Sequence, residues 1–327
     1  MVSFALFFGQ PAKGGKRADP IRGIIAIRRP LYHEAAEKSA LFARYADFSH
    51  RPRPFFSIDN PLAGCYHLDN LLKERGPTAL PQKGWLFMLT ISHLSKTYPG
   101  GKTAVRDLSF SVQPGEIFGF IGHNGAGKST TLRAAAGILP FEAGQITIGG
   151  FDIQRQPVQA KSITAFLPDN PDLYEFLTGI RFLNFVADLY NIPSDLRTQR
   201  IAQYGDMFEM TSALGSAISS YSHGMKQKLA LISALMRQPQ LLILDEPFVG
   251  LDPKASHLLK QQLQQLCSQG GSVLFSTHVL EVAEKLCHRI GIIRQGQLVA
   301  CGPTAELVGT SSLEEVFLEL EGEGEGK

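Results

Sequence analysis

Apolar and polar positions follow two different periods along this chain, and the changes of period mark its elements. Residues 89–94 and 104–112 alternate as half-buried strands do, with Tyr98-Pro99-Gly100-Gly101 as a turn between them. Residues 116–121, 241–244, 272–276 and 290–293 are short, nearly continuous apolar runs, the pattern of strands covered on both faces of a parallel sheet. Residues 144–149, 162–167 and 297–300 add three more strands. Residues 179–190, 194–210 and 222–237 carry apolar side chains at three- and four-residue steps and predict helices, broken by Pro193 and by the Ser/Gly-rich residues 211–220. Shorter helices are expected over 131–137, 254–267 and 279–286, and two more close the pattern before an acidic, glycine-rich tail at 321–327.

The first 87 residues do not share this order. Prolines 11, 20, 30, 52, 54, 61, 77 and 81 are scattered through them, and only residues 32–48 show helical spacing. One amphipathic helix cannot enclose a core. The segment is read as an extension that is poorly ordered or not native to the domain that follows, with a small docking module as the functional alternative.

Charge adds an asymmetry. Residues 1–87 hold 13 Lys/Arg against 7 Asp/Glu, and the remainder 19 against 23. The net charge of +2 argues neither for nucleic acid nor for a membrane surface. No run of 18 apolar residues occurs, so no spanning helix is expected, and the apolar residues 2–8 lack the charged leader of a secretory signal. Cys65, Cys267, Cys287 and Cys301 lie far apart without a CxxC pair and are read as free thiols.

The chemistry centres on Gly122-His123-Asn124-Gly125-Ala126-Gly127-Lys128-Ser129-Thr130, between an apolar strand and a helix. Glycines let backbone N–H groups curl around an anion, and the helix N-terminus adds positive partial charge. Lys128 can reach the β and γ phosphates and Ser129 can hold Mg2+, so ATP or GTP is the implied ligand. The strand at 241–244 ends in Asp245 and Glu246, which in a parallel sheet emerge on the same edge as the phosphate loop. Asp245 can then hold Mg2+, while Glu246 polarises the water that attacks the γ-phosphate.

Tyr221-Ser222-His223-Gly224-Met225-Lys226-Gln227 resembles the LSGGQ signature of ABC ATPases, with Ser222 and Gly224 in its most distinctive places. On its own it could equally be a helix cap. Tyr98 resembles the aromatic that stacks on adenine in that family, Gly250-Leu251-Asp252 its D-loop, and His278 the switch histidine that touches the γ-phosphate. The resemblance covers residues 88–320. It implies an α/β P-loop NTPase (RecA-like) core with an antiparallel β subdomain and a helical signature subdomain at about 168–238. It further implies bound ATP and Mg2+, two such domains sandwiching two ATP molecules as a homodimer or with a paralogue, and a separate transmembrane permease that holds the chain at the cytoplasmic face of the membrane.

One position departs from the family. After the strand at 162–167 the family usually places a Gln that contacts Mg2+ and the permease, and here Asp169 stands in Leu167-Pro168-Asp169-Asn170-Pro171. This segment and residues 173–179 resemble the branch that serves export permeases. A carboxylate can still bind Mg2+ through water. The alternatives are an importer subunit, which often has a sizeable domain after the switch histidine where this chain has 49 residues, and a soluble ABC ATPase without a permease.

Overall fold

The computed structural model describes residues 86–322. The expected helix at 32–48, Cys65 and the end of the acidic tail lie outside the described residues.

Four strands form an antiparallel sheet in the order β2-β1-β4-β5. They are β1 (Leu89–Thr97), β2 (Thr103–Val112), β4 (Ala143–Ile148) and the two-residue β5 (Phe151–Asp152). The alternation in β1 sets its register: Leu89 and Ile91 face inward opposite Val112 and Phe110 of β2 and opposite Ile148 and Ile146 of β4.

The second sheet has six strands in the order β10-β9-β3-β8-β7-β6, where β3 is Ile117–Ile121, β6 Thr164–Leu167, β7 Leu241–Asp245, β8 Ser272–Thr277, β9 Arg289–Arg294 and β10 Gln297–Pro303. Only the β9–β10 pair is antiparallel within it. Every residue of β3, β7 and β8 is buried, which is why their sequences run apolar without alternation. Phe118 and Phe120 of β3 stack on Phe110 of β2 with ring centroids 5.1 and 5.2 Å apart, so the two sheets share one core.

Helices lie between these strands and after the last of them: α1 (Lys128–Ala135), α2 (Pro157–Ser162), α3 (Gly179–Leu189), α4 (Ser194–Met207), α5 (His223–Leu235), α6 (Pro253–Ser268), α7 (Leu280–Leu286), α8 (Thr304–Val308) and α9 (Leu313–Gly322). Helix α3 starts under a Thr178 cap and α5 under a Ser222 cap. Arg237 ties this helical part to the sheet. Its guanidinium lies 3.4 Å from the centroid of the Tyr190 ring and donates to the Thr164 carbonyl at 2.6 Å.

Three expectations change in detail. Helix α1 begins at Lys128, not at residue 131, so Lys128, Ser129 and Thr130 occupy its first turn. Residues 162 and 163 precede β6: Ser162 ends α2, a helix of six residues too short to show a period, and Ile163 is its C-cap. Helix α9 runs two residues into the acidic tail. The three cysteines in the described residues are free, and burial pushes the Cys267 thiol up to about 12 and the Cys287 thiol well above its ordinary value. Among the described residues no helix is long and apolar enough to cross a membrane.

Candidate functional site

Strand register places the chemistry on one edge. Ile121 of β3 pairs with Thr277 of β8, Asp245 of β7 with Ser276, and Leu167 of β6 with Leu244. The phosphate loop, Glu246, His278 and Asp169 therefore all leave the carboxyl ends of parallel strands, where such sheets bind ligands.

The loop from Gly122 to Gly127 is held against its neighbours. Gly127 has φ 111°, and a Cβ there would meet the Ala104 carbonyl at 2.5 Å, so only glycine fits. Gly296 donates to the Ala126 carbonyl at 2.8 Å and accepts from the Arg106 backbone N–H at 2.8 Å, which braces the loop against β2. The Lys128 ammonium, 5% exposed, donates to the carbonyls of Gly122 at 2.5 Å and His123 at 3.3 Å. Glu246 Oε1 lies 3.4 Å from the same nitrogen.

Around Asp245 the polar groups form a chain. Ser129 Oγ of α1 donates to Asp245 Oδ1 at 3.1 Å, and Ser276 Oγ donates to the same oxygen at 2.7 Å. Ser276 Oγ in turn accepts the Glu246 N–H at 3.0 Å. Glu246 Oε2 is 3.0 Å from His278 Nδ1. Asp245 is fully buried, yet among the described residues its Oδ2 has no hydrogen-bond partner, and Glu246 Oε1 has only the Lys128 ammonium at 3.4 Å. A buried carboxylate oxygen without a donor is costly unless a cation or ligand completes it. Asp245 and Ser129 together fit a divalent cation. Among the described residues no group of three or more His, Cys, Asp or Glu side chains could hold a metal alone, and Mg2+ bound to a nucleotide typically takes one or two protein oxygens, with phosphate and water supplying the rest.

These groups border a cleft of about 250 Å3 lined by Tyr98, Asn124, Lys128, Ser129, Asp169 and Glu246, with His123, Gly125, Gly127 and Thr130 also on its wall. Tyr98 is fixed at both ends. Its hydroxyl is 3.2 Å from Thr130 Oγ1, and the Lys96 ammonium lies 5.7 Å from its ring centroid. Lys96 is itself held at 2.5 Å by Glu142, whose carboxyl lies below its ordinary pKa because of that bond and the Thr97 N–H. Asp169 has the opposite shift. Burial, then the negative charges of Asp245 and Glu246, raise its carboxyl above the usual range.

The remaining predicted residues do not line this cleft. Ser222 caps α5, accepting from Met225 N at 3.3 Å, and a Cβ on Gly224 would stand 3.1 Å from the Gly250 carbonyl. Asp252 caps α6 through Ala255 N at 2.8 Å and pairs with Lys228 of α5 at 2.7 Å. The segment at 221–224 and the turn at 250–252 are thus one packed unit. Gly122 and Ala126 support the loop from beneath, and His278 touches the site through Glu246. Sequence reasoning missed Ser276; the available signal was a small polar residue at the end of an otherwise apolar run, and its register opposite Asp245 is visible only in the fold.

Comparison with known proteins extends this picture. The family profile described as "ABC transporter" matches residues 105–249. The chain is 38% identical over 220 residues to the "Linearmycin resistance ATP-binding protein LnrL" of Bacillus subtilis (strain 168), covering 67% of this chain and 70% of that one. It is 36% identical over 217 residues to the "Nod factor export ATP-binding protein I" of Paraburkholderia xenovorans (strain LB400), covering 66% and 71%. A solved structure titled "Structure of ATP binding subunit of ABC transporter" superposes with a TM-score of 0.69 at 33% identity, over 72% of this chain and 99% of the other.

Proposed function

The chain belongs to the ABC transporter family of ATP-binding proteins, and on that premise we infer that it is the ATP-hydrolysing subunit that drives a separate permease, working as an exporter. The observation that carries the hydrolytic reading is the constellation of Lys128, Glu246 and His278 around one cleft, with Asp245 and Ser129 joined beside it. In this reading Tyr98 stacks on the adenine, the loop N–H groups from Gly122 to Thr130 cradle the phosphates, and Lys128 exchanges its loop carbonyls for β- and γ-phosphate oxygens. Ser129 and Asp245 would hold Mg2+, which would neutralise developing charge on the phosphates, with Asp169 as a further group that could bind it through water. Glu246 orients a water molecule and takes its proton as the water oxygen bonds to the γ-phosphorus. The bond from that phosphorus to the β-γ bridging oxygen breaks, ADP departs, and His278 supports both Glu246 and the γ-phosphate.

Ser222, Gly224 and Asp252 do not line this chain's own cleft, which supports a role at the cleft of a second copy or a paralogue. Export is favoured by the names of two relatives, one called a linearmycin resistance protein and one a Nod factor export protein.

Glu246→Gln separates binding from chemistry. It should lower kcat by about 10²- to 10⁴-fold while ATP affinity stays within a few-fold, and ATP should then trap a dimer visible by size-exclusion chromatography. Lys128→Ala should instead weaken nucleotide binding itself in a fluorescence titration. Hydrolysis by Glu246→Gln within a few-fold of the unaltered chain would show that Glu246 is not the group that activates the water.

A further inference from the structure

Helix α9 lies beyond the part of the chain matched by the family profile, yet it crosses the outer side of the phosphate loop. Three attachments fix it. At its start Ser312 and Glu315 exchange hydrogen bonds of 3.1 and 3.2 Å, and the Leu313 N–H donates to Glu284 of α7 at 2.9 Å. At its end the Leu320 carbonyl accepts from Arg294, the last residue of β9. Between them, one turn beyond the buried Leu313, the Phe317 ring meets the ring of His123 edge-on, with centroids 5.1 Å apart and planes at 67°.

His123 is the second residue of the phosphate loop, and its carbonyl is one of the two that hold Lys128. Below it the loop is closed off, since a Cβ on Gly122 would run into the Ile293 carbonyl of β9. Outside it, a cavity of about 210 Å3 opens between α9, the loop and the start of α7, lined by Ile121, His123, His278, Leu280, Phe317 and Leu318. The first turn of the loop is therefore backed by strand packing on one side and by Phe317, beside open space, on the other. A shorter side chain at 317 removes the ring that meets His123 on this side.

From this arrangement we propose that Phe317 is a positioning residue for nucleotide binding: through His123 it holds the first turn of the phosphate loop in its ligand-ready shape. The proposal rests on the reading of the cleft as an ATP site. Edge-to-face aromatic pairs are of a strength that corresponds to about a three- to tenfold change in an equilibrium. The effect belongs in affinity and not in the chemical step, because the Phe317 ring meets the phosphate loop, through His123, and not the Glu246 carboxylate.

The test uses the full chain and measures ATP affinity by titration, steady-state ATPase rates and thermal midpoints. Phe317→Ala and Phe317→Leu should raise Kd and KM for ATP about three- to tenfold with kcat within about twofold, and Phe317→Tyr should restore both. In the double variant with His123→Ala, the loss at 317 should add little to the loss at 123, as for two members of one contact. Phe317→Leu keeps buried apolar volume, so it reads the ring contact even where Phe317→Ala does not fold. A lowered thermal midpoint with unchanged KM in Phe317→Leu, or full additivity in the double variant, would overturn the proposal. Lys128→Ala is measured in parallel: if it binds ATP as tightly as the unaltered chain, the cleft reading itself falls, whereas normal loss there with no effect at 317 removes only this inference.

Discussion

Glu246 stands at φ 48°, a left-handed conformation that a glutamate adopts at a cost of about 1–3 kcal/mol. Ser276 helps to hold it there by accepting its N–H while donating to Asp245, so one hydroxyl orients both acids. Ser276→Ala should lower activity or Mg2+ affinity about 10- to 100-fold with little loss of fold, measured by ATPase rates across a Mg2+ titration. A variant with an unchanged Mg2+ profile would show that the acids are held without it. Asp169 provides a second test at this scale. Its pKa is raised by burial and by Asp245 and Glu246, so the folded chain binds that proton more tightly than the unfolded chain. The stability it contributes is full below the ordinary Asp pKa and is lost as pH rises through the raised value. Asp169→Asn should flatten that fall in the nucleotide-free chain, as read by denaturant midpoints across the acid range; an identical pH profile would contradict it. The acids and the lysine could be picked out from their motif, but the bond between Ser276 and Asp245 could not, because it joins positions 31 apart in the chain.

Strand β3 shows how an element carries the site. Its two phenylalanines fill the core shared with β2, while Gly119, between them, turns the opposite way onto Cys287, where a Cβ would come within 2.6 Å of the thiol sulfur. Gly119→Ala should cost about 1–3 kcal/mol of stability through overpacking. Adding Cys287→Ala should recover most of it, as read by denaturant unfolding, and simple additivity of the two losses would refute the steric account. The apolar run at 116–121 announced a buried strand, but a glycine inside it carried no sign of what approached so closely. Helix α1 is the converse case. Its apolar pattern becomes visible only at residue 131, since its first turn is made of Lys128, Ser129 and Thr130, polar residues that line the cleft.

At the scale of the molecule, the sheet edge gathers residues from 98 to 278, and the described fold opens with Met88 already in place. The Met88 N–H donates to Val112 at 2.8 Å, and its carbonyl accepts from Gly149 at 2.7 Å. We propose that the domain starts at this residue: a chain beginning at Met88 should fold and hydrolyse ATP, and loss of soluble expression or of activity would make the preceding residues a necessary part of it. The sequence by itself determined the parallel sheet, the glycine-rich loop before Lys128 and the two acids at the end of an apolar strand, because burial on both faces dictates apolar strands and a loop that curls around an anion calls for glycines. Which groups meet was decided by tertiary structure alone. Strand order set Ser276 beside Asp245 and His278 beside Glu246, and the return of α9 set Phe317 against His123. These contacts join segments far apart in the chain, and such pairing depends on how the sheet is wound and how the helices pack over it, which no local period of residues encodes.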